Sequence, residues 1–153
     1  MLTERSEGNE VLKTNATKEA PMTVPTYRAV NLLDSESFAQ YVATALWSTT
    51  DDYGTPLDTN YDFDDVDPES LVVHRSECET FIQANYEVIS GLLEAGYEMT
   101  TIMHDFWLTR NGHGCGFWDG DYPEKIETIL TDSAHSSGER NPYVGDDGQL
   151  YLS

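Results

Sequence analysis

Residues 104–120, HDFWLTRNGHGCGFWDG, place His104, Asp105, His113 and Asp119 in a short span, with Asp121 one residue beyond. Imidazole nitrogens and carboxylate oxygens at this density could ligate a metal or move protons as an acid/base pair. Their spacing matches no metal-site pattern, H-E-x-x-H included. A second constellation lies upstream. Asp58, Asn60, Asp62, Asp64 and Glu69 fall at positions 1, 3, 5, 7 and 12 of a calcium-loop register, with the glutamate where a bidentate ligand belongs. Position 6, which needs glycine, is Phe63, and the preceding helix is expected to end well before Asp58. No G-x-S-x-G, phosphate loop or dinucleotide fingerprint occurs. The sequence therefore predicts no catalytic residue set, no resident metal and no cofactor.

The elements that must carry these residues follow from periodicity and punctuation. Residues 1–28 have mixed charge, two prolines and little periodic apolar content, so they are expected to form a flexible tail. Residues 29–153 are read as a single domain. Behind an Asp34 cap, Phe38, Tyr41, Val42, Ala45 and Leu46 share one helical face, predicting an amphipathic helix that ends near Thr49. A glycine and two prolines break every period over 50–70 and predict a long acidic loop. Ser76 and Glu79 have capping-box spacing and open a predicted helix that runs to Gly96. Asp121 caps a third, with Pro123 in its first turn, Ile126, Ile129, Leu130 and Ala134 as its apolar stripe and Gly138 as its stop.

Between these helices, DFWLT and GFWD flank a loop containing Asn111 and Gly112, which reads as a β-hairpin. Pairing outward from Arg110 with Cys115 would set Leu108 opposite Phe117 and Trp107 opposite Trp118. His113 sits at the predicted loop tip. The C-terminal PYVGDDGQLYLS has an Asp-Gly turn between two strand-like runs and closes a second hairpin. The expected class is α+β, a small antiparallel sheet of two hairpins packed on about three helices.

Charge is the other strong signal. Eight Lys and Arg stand against 28 Asp and Glu, a formal net charge of −20, which excludes direct binding to a nucleic-acid backbone. No Lys or Arg lies between Arg28 and Arg75, where ten acidic residues do. No apolar run approaches the length of a membrane span and the first residues lack a secretory core, so a soluble, intracellular protein is expected. Cys78 and Cys115 are too few for a disulfide framework and are read as free thiols. No spacing specifies an oligomeric state.

DFWLTRNGHGCGFWD followed by YVGDDGQLY resembles a segment shared by small, mostly uncharacterised proteins encoded by tailed phages, over roughly the last third of the chain. On that resemblance Asp105, Trp107, Arg110, Asn111, His113, Phe117, Trp118 and Asp119 are the family motif, and a viral protein in the host cytoplasm is implied. The long N-terminal segment, EMTTIM before the motif and GDYPE after it depart from the pattern. Acidity and resemblance together predict a non-enzymatic accessory protein that imitates nucleic-acid charge and inhibits a basic, nucleic-acid-handling host protein. Its contacts would be Asp58, Asp62, Asp64, Asp65, Asp67 and Glu69, with Tyr53, Tyr61 and Phe63 as apolar anchors. The alternatives are a salt-adapted accessory or virion protein whose acidity is environmental, and a metal-binding protein.

Overall fold

The computed structural model describes residues 32–113 and 115–153. The expected tail at 1–28 lies outside the described residues. Among them are five helices and one two-stranded antiparallel sheet, so the fold is α+β and dominated by helix.

Helix α1, Ser35–Ser48, matches its expectation: the Asp34 carboxylate accepts from the Ser37 N–H at 2.8 Å, and Phe38, Tyr41, Val42, Ala45 and Leu46 are buried. The chain then makes two 3-10 turns, Leu57–Thr59 and Phe63–Asp65. The predicted loop at 50–70 is thus more ordered and ends earlier, because Leu57 and Val66 are buried in the core and pin it.

Helix α2, Pro68–Ala84, starts eight residues before Ser76. Asp67 accepts from the Ser70 N–H at 3.0 Å, and Pro68 needs no N–H partner in the first turn. That pair outcompetes Ser76, which sits mid-helix on the exposed side. The chain breaks at Asn85, whose side chain donates to the Phe81 carbonyl and Ser133 Oγ, each at 2.8 Å, and resumes as α3, Tyr86–Glu94. One predicted helix is therefore two, although Gly96 does end the second with φ +102°.

The aromatic hairpin does not form. Residues Met99–Arg110 are helix α4, and Asn111–Gly112 is its C-terminal cap rather than a hairpin turn. Gly112 takes φ +72°, its N–H donates to the Thr109 carbonyl at 3.1 Å and the His113 N–H to the Leu108 carbonyl at 3.0 Å, the paired bonds of a Schellman motif. Helix α4 is buried on nearly every side, so it shows no amphipathic period, and its aromatic content imitates a strand. Leu108 and Phe117, and Trp107 and Trp118, are therefore not cross-strand pairs. Instead the chain folds back after the cap. Gly116 takes φ +136° against Thr109, and the Phe117 N–H donates to Thr109 Oγ1 at 3.0 Å. Phe117 is buried between Phe81 and Tyr122, while Trp118 is half-exposed.

Helix α5, Glu124–Ser136, has Pro123 rather than Asp121 at its N-cap position. It buries Leu130 and Ala134 and leaves Ile129 exposed, and Gly138 follows its end as expected. The closing hairpin is present: β1, Pro142–Val144, pairs with β2, Leu150–Leu152, with Tyr143 opposite Tyr151. Strand β2 also touches the acidic segment, where the Asp67 N–H donates to the Leu150 carbonyl at 2.8 Å. That contact fixes residues 57–67 beside the hairpin.

Candidate functional site

The motif residues divide into a buried framework and two surface positions. Arg110 is fully buried. Its Nε and Nη2 donate to the Gly138 and Ser137 carbonyls at 2.8 and 2.9 Å, and Nη1 reaches Tyr41 Oη at 3.0 Å and Glu77 Oε1 at 2.8 Å. Glu77 also pairs with Arg140, so one carboxylate holds two guanidinium groups. The Tyr41 hydroxyl, accepting from Arg110, donates to His74 Nδ1 at 2.7 Å, and His74 Nε2 donates to the Leu152 carbonyl. Burial pushes His74 down to about 4, which keeps it neutral in this chain of donors. Burial likewise holds the Tyr41 phenol far above its ordinary value. Trp107 donates from Nε1 to Ser48 Oγ at 3.0 Å, and Asn111 accepts from the Arg140 N–H at 2.8 Å while donating to the Trp107 carbonyl at 3.0 Å. Arg110 and Asn111 thus join α1, α2, α4 and α5 to the C-terminal hairpin.

Asp105 is buried, accepting from the Tyr122 hydroxyl at 2.6 Å and lying 2.9 Å from His104 Nδ1. His104 is stacked on Trp47 and lines an open cavity of about 360 Å³ with Asp105, Asp119 and Asp121. The neighbouring Asp119 charge raises the Asp121 carboxyl. Among the described residues no group of three or more His, Cys, Asp or Glu is arranged to hold a metal ion. The calcium register at 58–69 does not gather either. Asp62 instead accepts from the Asp64 N–H at 3.0 Å, Asp65 accepts from the Asp62 N–H at 2.8 Å, and Glu69 lies in the first turn of α2.

The expected partner-binding residues do lie on the outside. Asp58, Asp62, Asp64 and Glu69 are exposed, and Asp65 and Asp67 half-exposed. The side chains of Asp58, Asp64 and Glu69 accept no hydrogen bond and join no ion pair among the described residues. Phe63 is partly sunk, edge-on to Phe38 at 6.2 Å. Tyr53 protrudes, 92% exposed. Its position follows from the sequence DDYG: the Asp51 carboxylate accepts from the N–H groups of Tyr53 and Thr55 at 2.8 and 3.0 Å, and Gly54 closes the turn at φ +82°.

This turn faces the hairpin. Asp51, Asp52, Tyr53, Leu57, Tyr61 and Tyr143 line a cleft of about 290 Å³. Tyr143 and the two aspartates were absent from the sequence-based set. The Asp-x-x-Gly turn signal could have added the aspartates, but no local signal marks Tyr143, which arrives from the far end of the chain. His113 lines an adjoining cavity of about 260 Å³ with Glu139 and Arg140, and Thr50 and Pro142 border both. His113 and the Asp51–Gly54 turn therefore lie at adjoining cavities.

No helix among the described residues is long and apolar enough to cross a membrane. No family model matches the chain, and neither a curated protein nor a solved structure matches it.

Proposed function

We propose that the chain is a non-enzymatic viral accessory protein that binds and inhibits a basic, nucleic-acid-handling host protein, presenting carboxylates in place of phosphates. The observation that carries this reading is the surface built by residues 51–69. Its carboxylates are outward, Tyr53, Tyr61 and Phe63 stand among them, and no basic residue occurs between Arg28 and Arg75 to neutralise them. Residues 1–31 hold four basic and four acidic side chains, so the whole net charge of −20 belongs to residues 32–153. Such a surface attracts a cationic groove over a distance set by salt screening.

The test is capture from host lysate on immobilised protein, with duplex DNA as competitor. Basic nucleic-acid-handling proteins are expected to be retained at low salt and released by DNA, and the triple variant Asp58→Asn, Asp64→Asn, Glu69→Gln should retain far less. Recovery of no such protein at low salt would sink the proposal.

One observation favours environmental acidity as a second reading: exposed acids also occur outside this surface, at Asp119, Asp121, Glu124, Asp132, Glu139 and Asp146. Circular dichroism across a salt series separates the two. A chain that keeps its fold in dilute buffer argues against salt adaptation, and one that folds only near molar salt argues for it.

A further inference from the structure

We propose that the cleft between the Asp51–Gly54 turn and strand β1 is an anchor pocket for an arginine side chain of the basic partner; this rests on the proposed function and names the group that the surface recognises. Three tyrosines, Tyr53, Tyr61 and Tyr143, contribute to its lining, with buried Leu57 among them. The faces of phenol rings attract cations, and a planar guanidinium stacks on them while its long stem covers apolar surface.

Asp51 and Asp52 supply the opposite charge. Asp51 commits Oδ1 to the turn, which leaves Oδ2 without a partner among the described residues, and the Asp52 carboxylate accepts no hydrogen bond there. Among the described residues no Lys, Arg or His lines the cleft. Its volume of about 290 Å³ suits one long side chain rather than a folded element. Arginine fits better than lysine, because the ammonium is more strongly hydrated and cannot stack. The pocket has a packed floor and an exposed rim. Leu57 and Tyr61 are tied to the core, and Tyr143 is stacked on Tyr151 at 5.3 Å, while Tyr53 stands almost wholly in solvent.

The test compares nona-arginine with nona-lysine by isothermal titration at low salt, with amide chemical shifts followed by NMR. Nona-arginine should bind several-fold more tightly and shift the amides of Asp51, Asp52, Tyr53, Tyr61 and Tyr143. The double variant Tyr53→Leu, Tyr143→Leu should lose about tenfold for nona-arginine and little for nona-lysine. Both tyrosines are at least half exposed, so the fold is expected to survive, and Tyr53→Leu alone, at the most exposed of them, gives a control with about a threefold loss.

Equal affinity for the two peptides, or a double variant that binds nona-arginine normally, overturns the pocket. If the carboxylate triple variant still weakens both peptides in that case, the acidic surface stands without its pocket. If neither peptide binds the unaltered chain, both readings fall. A concentration-dependent dimer that protects the same amides makes the occupant a second copy and also overturns the proposal.

Discussion

His74 makes the fold sensitive to mild acid, and the size of the effect follows from its surroundings. The ring is fully buried, accepts from the Tyr41 hydroxyl and donates to the Leu152 carbonyl, with the Arg110 and Arg140 charges nearby. Protonation would require burying a cation beside two others and would remove the acceptor that Tyr41 uses. The native group titrates near 4 against 6.5 for an ordinary histidine. Because the folded value is depressed below the unfolded one, the unfolded chain binds the proton first. Stability is therefore complete above pH 6.5 and falls as the pH drops from 6.5 towards 4, by roughly 3 kcal/mol in all. Other groups act differently in the same window, since protonating surface acids relieves repulsion in a chain of net charge −20. The comparison must therefore be with His74→Gln, whose amide can donate to Leu152 and accept from Tyr41 but does not titrate. Urea unfolding at constant ionic strength should show the unaltered chain losing roughly 2 to 3 kcal/mol relative to the variant between pH 7.5 and pH 4.5. Parallel stability curves, or an NMR titration that puts His74 near 6.5 in the folded chain, would refute the reasoning.

Three further outcomes test how the elements are set. Gly116→Ala should destabilise by about 3 kcal/mol in urea unfolding, since a Cβ there would stand 2.3 Å from Thr109 Oγ1 on a backbone at φ +136°. Asp67→Ala should cost about 1 kcal/mol as a lost N-cap, whereas Ser76→Ala, within the same helix, should change the unfolding midpoint little; equal costs would contradict the assigned start of α2. Arg110→Met should cost about 3 kcal/mol or more, because Tyr41, Glu77 and the Ser137 and Gly138 carbonyls just past α5 lose a shared donor, and a smaller loss by thermal or urea denaturation would mean that Arg140 takes over.

What the sequence made legible was local and amphipathic. Helix α1 could be read because its cap is adjacent and its apolar residues keep a single face, and the C-terminal hairpin because its Asp-Gly turn has few alternatives. Helix α4 imitates a strand for a physical reason. A helix buried on almost all sides carries no period, and its Phe106, Trp107 and Leu108 have the composition of a strand. Asn-Gly then supported the wrong choice, because the same dipeptide supplies the left-handed residue of a hairpin turn or of a helix cap. The bond from His113 to the Leu108 carbonyl distinguishes the two, and that bond exists only once the helix does.

The candidate site shows the same division between local and distant information. The outward carboxylates needed only composition, and Tyr53 only its turn, so both could be anticipated. The cleft required Tyr143 to come against residues 51–61, and that depends on β2 docking beside Val66 and Asp67. The docking in turn depends on Leu150 and Leu152 entering the core and on His74 holding the Leu152 carbonyl. Residues of the motif, Arg110 above all, thus contribute to the proposed site from a distance. Arg110 fixes Tyr41, Tyr41 orients His74, and His74 seats the hairpin that carries Tyr143. On this account the motif and the acidic segment are parts of one construction, with the motif as its support and residues 51–69 as the proposed contact surface.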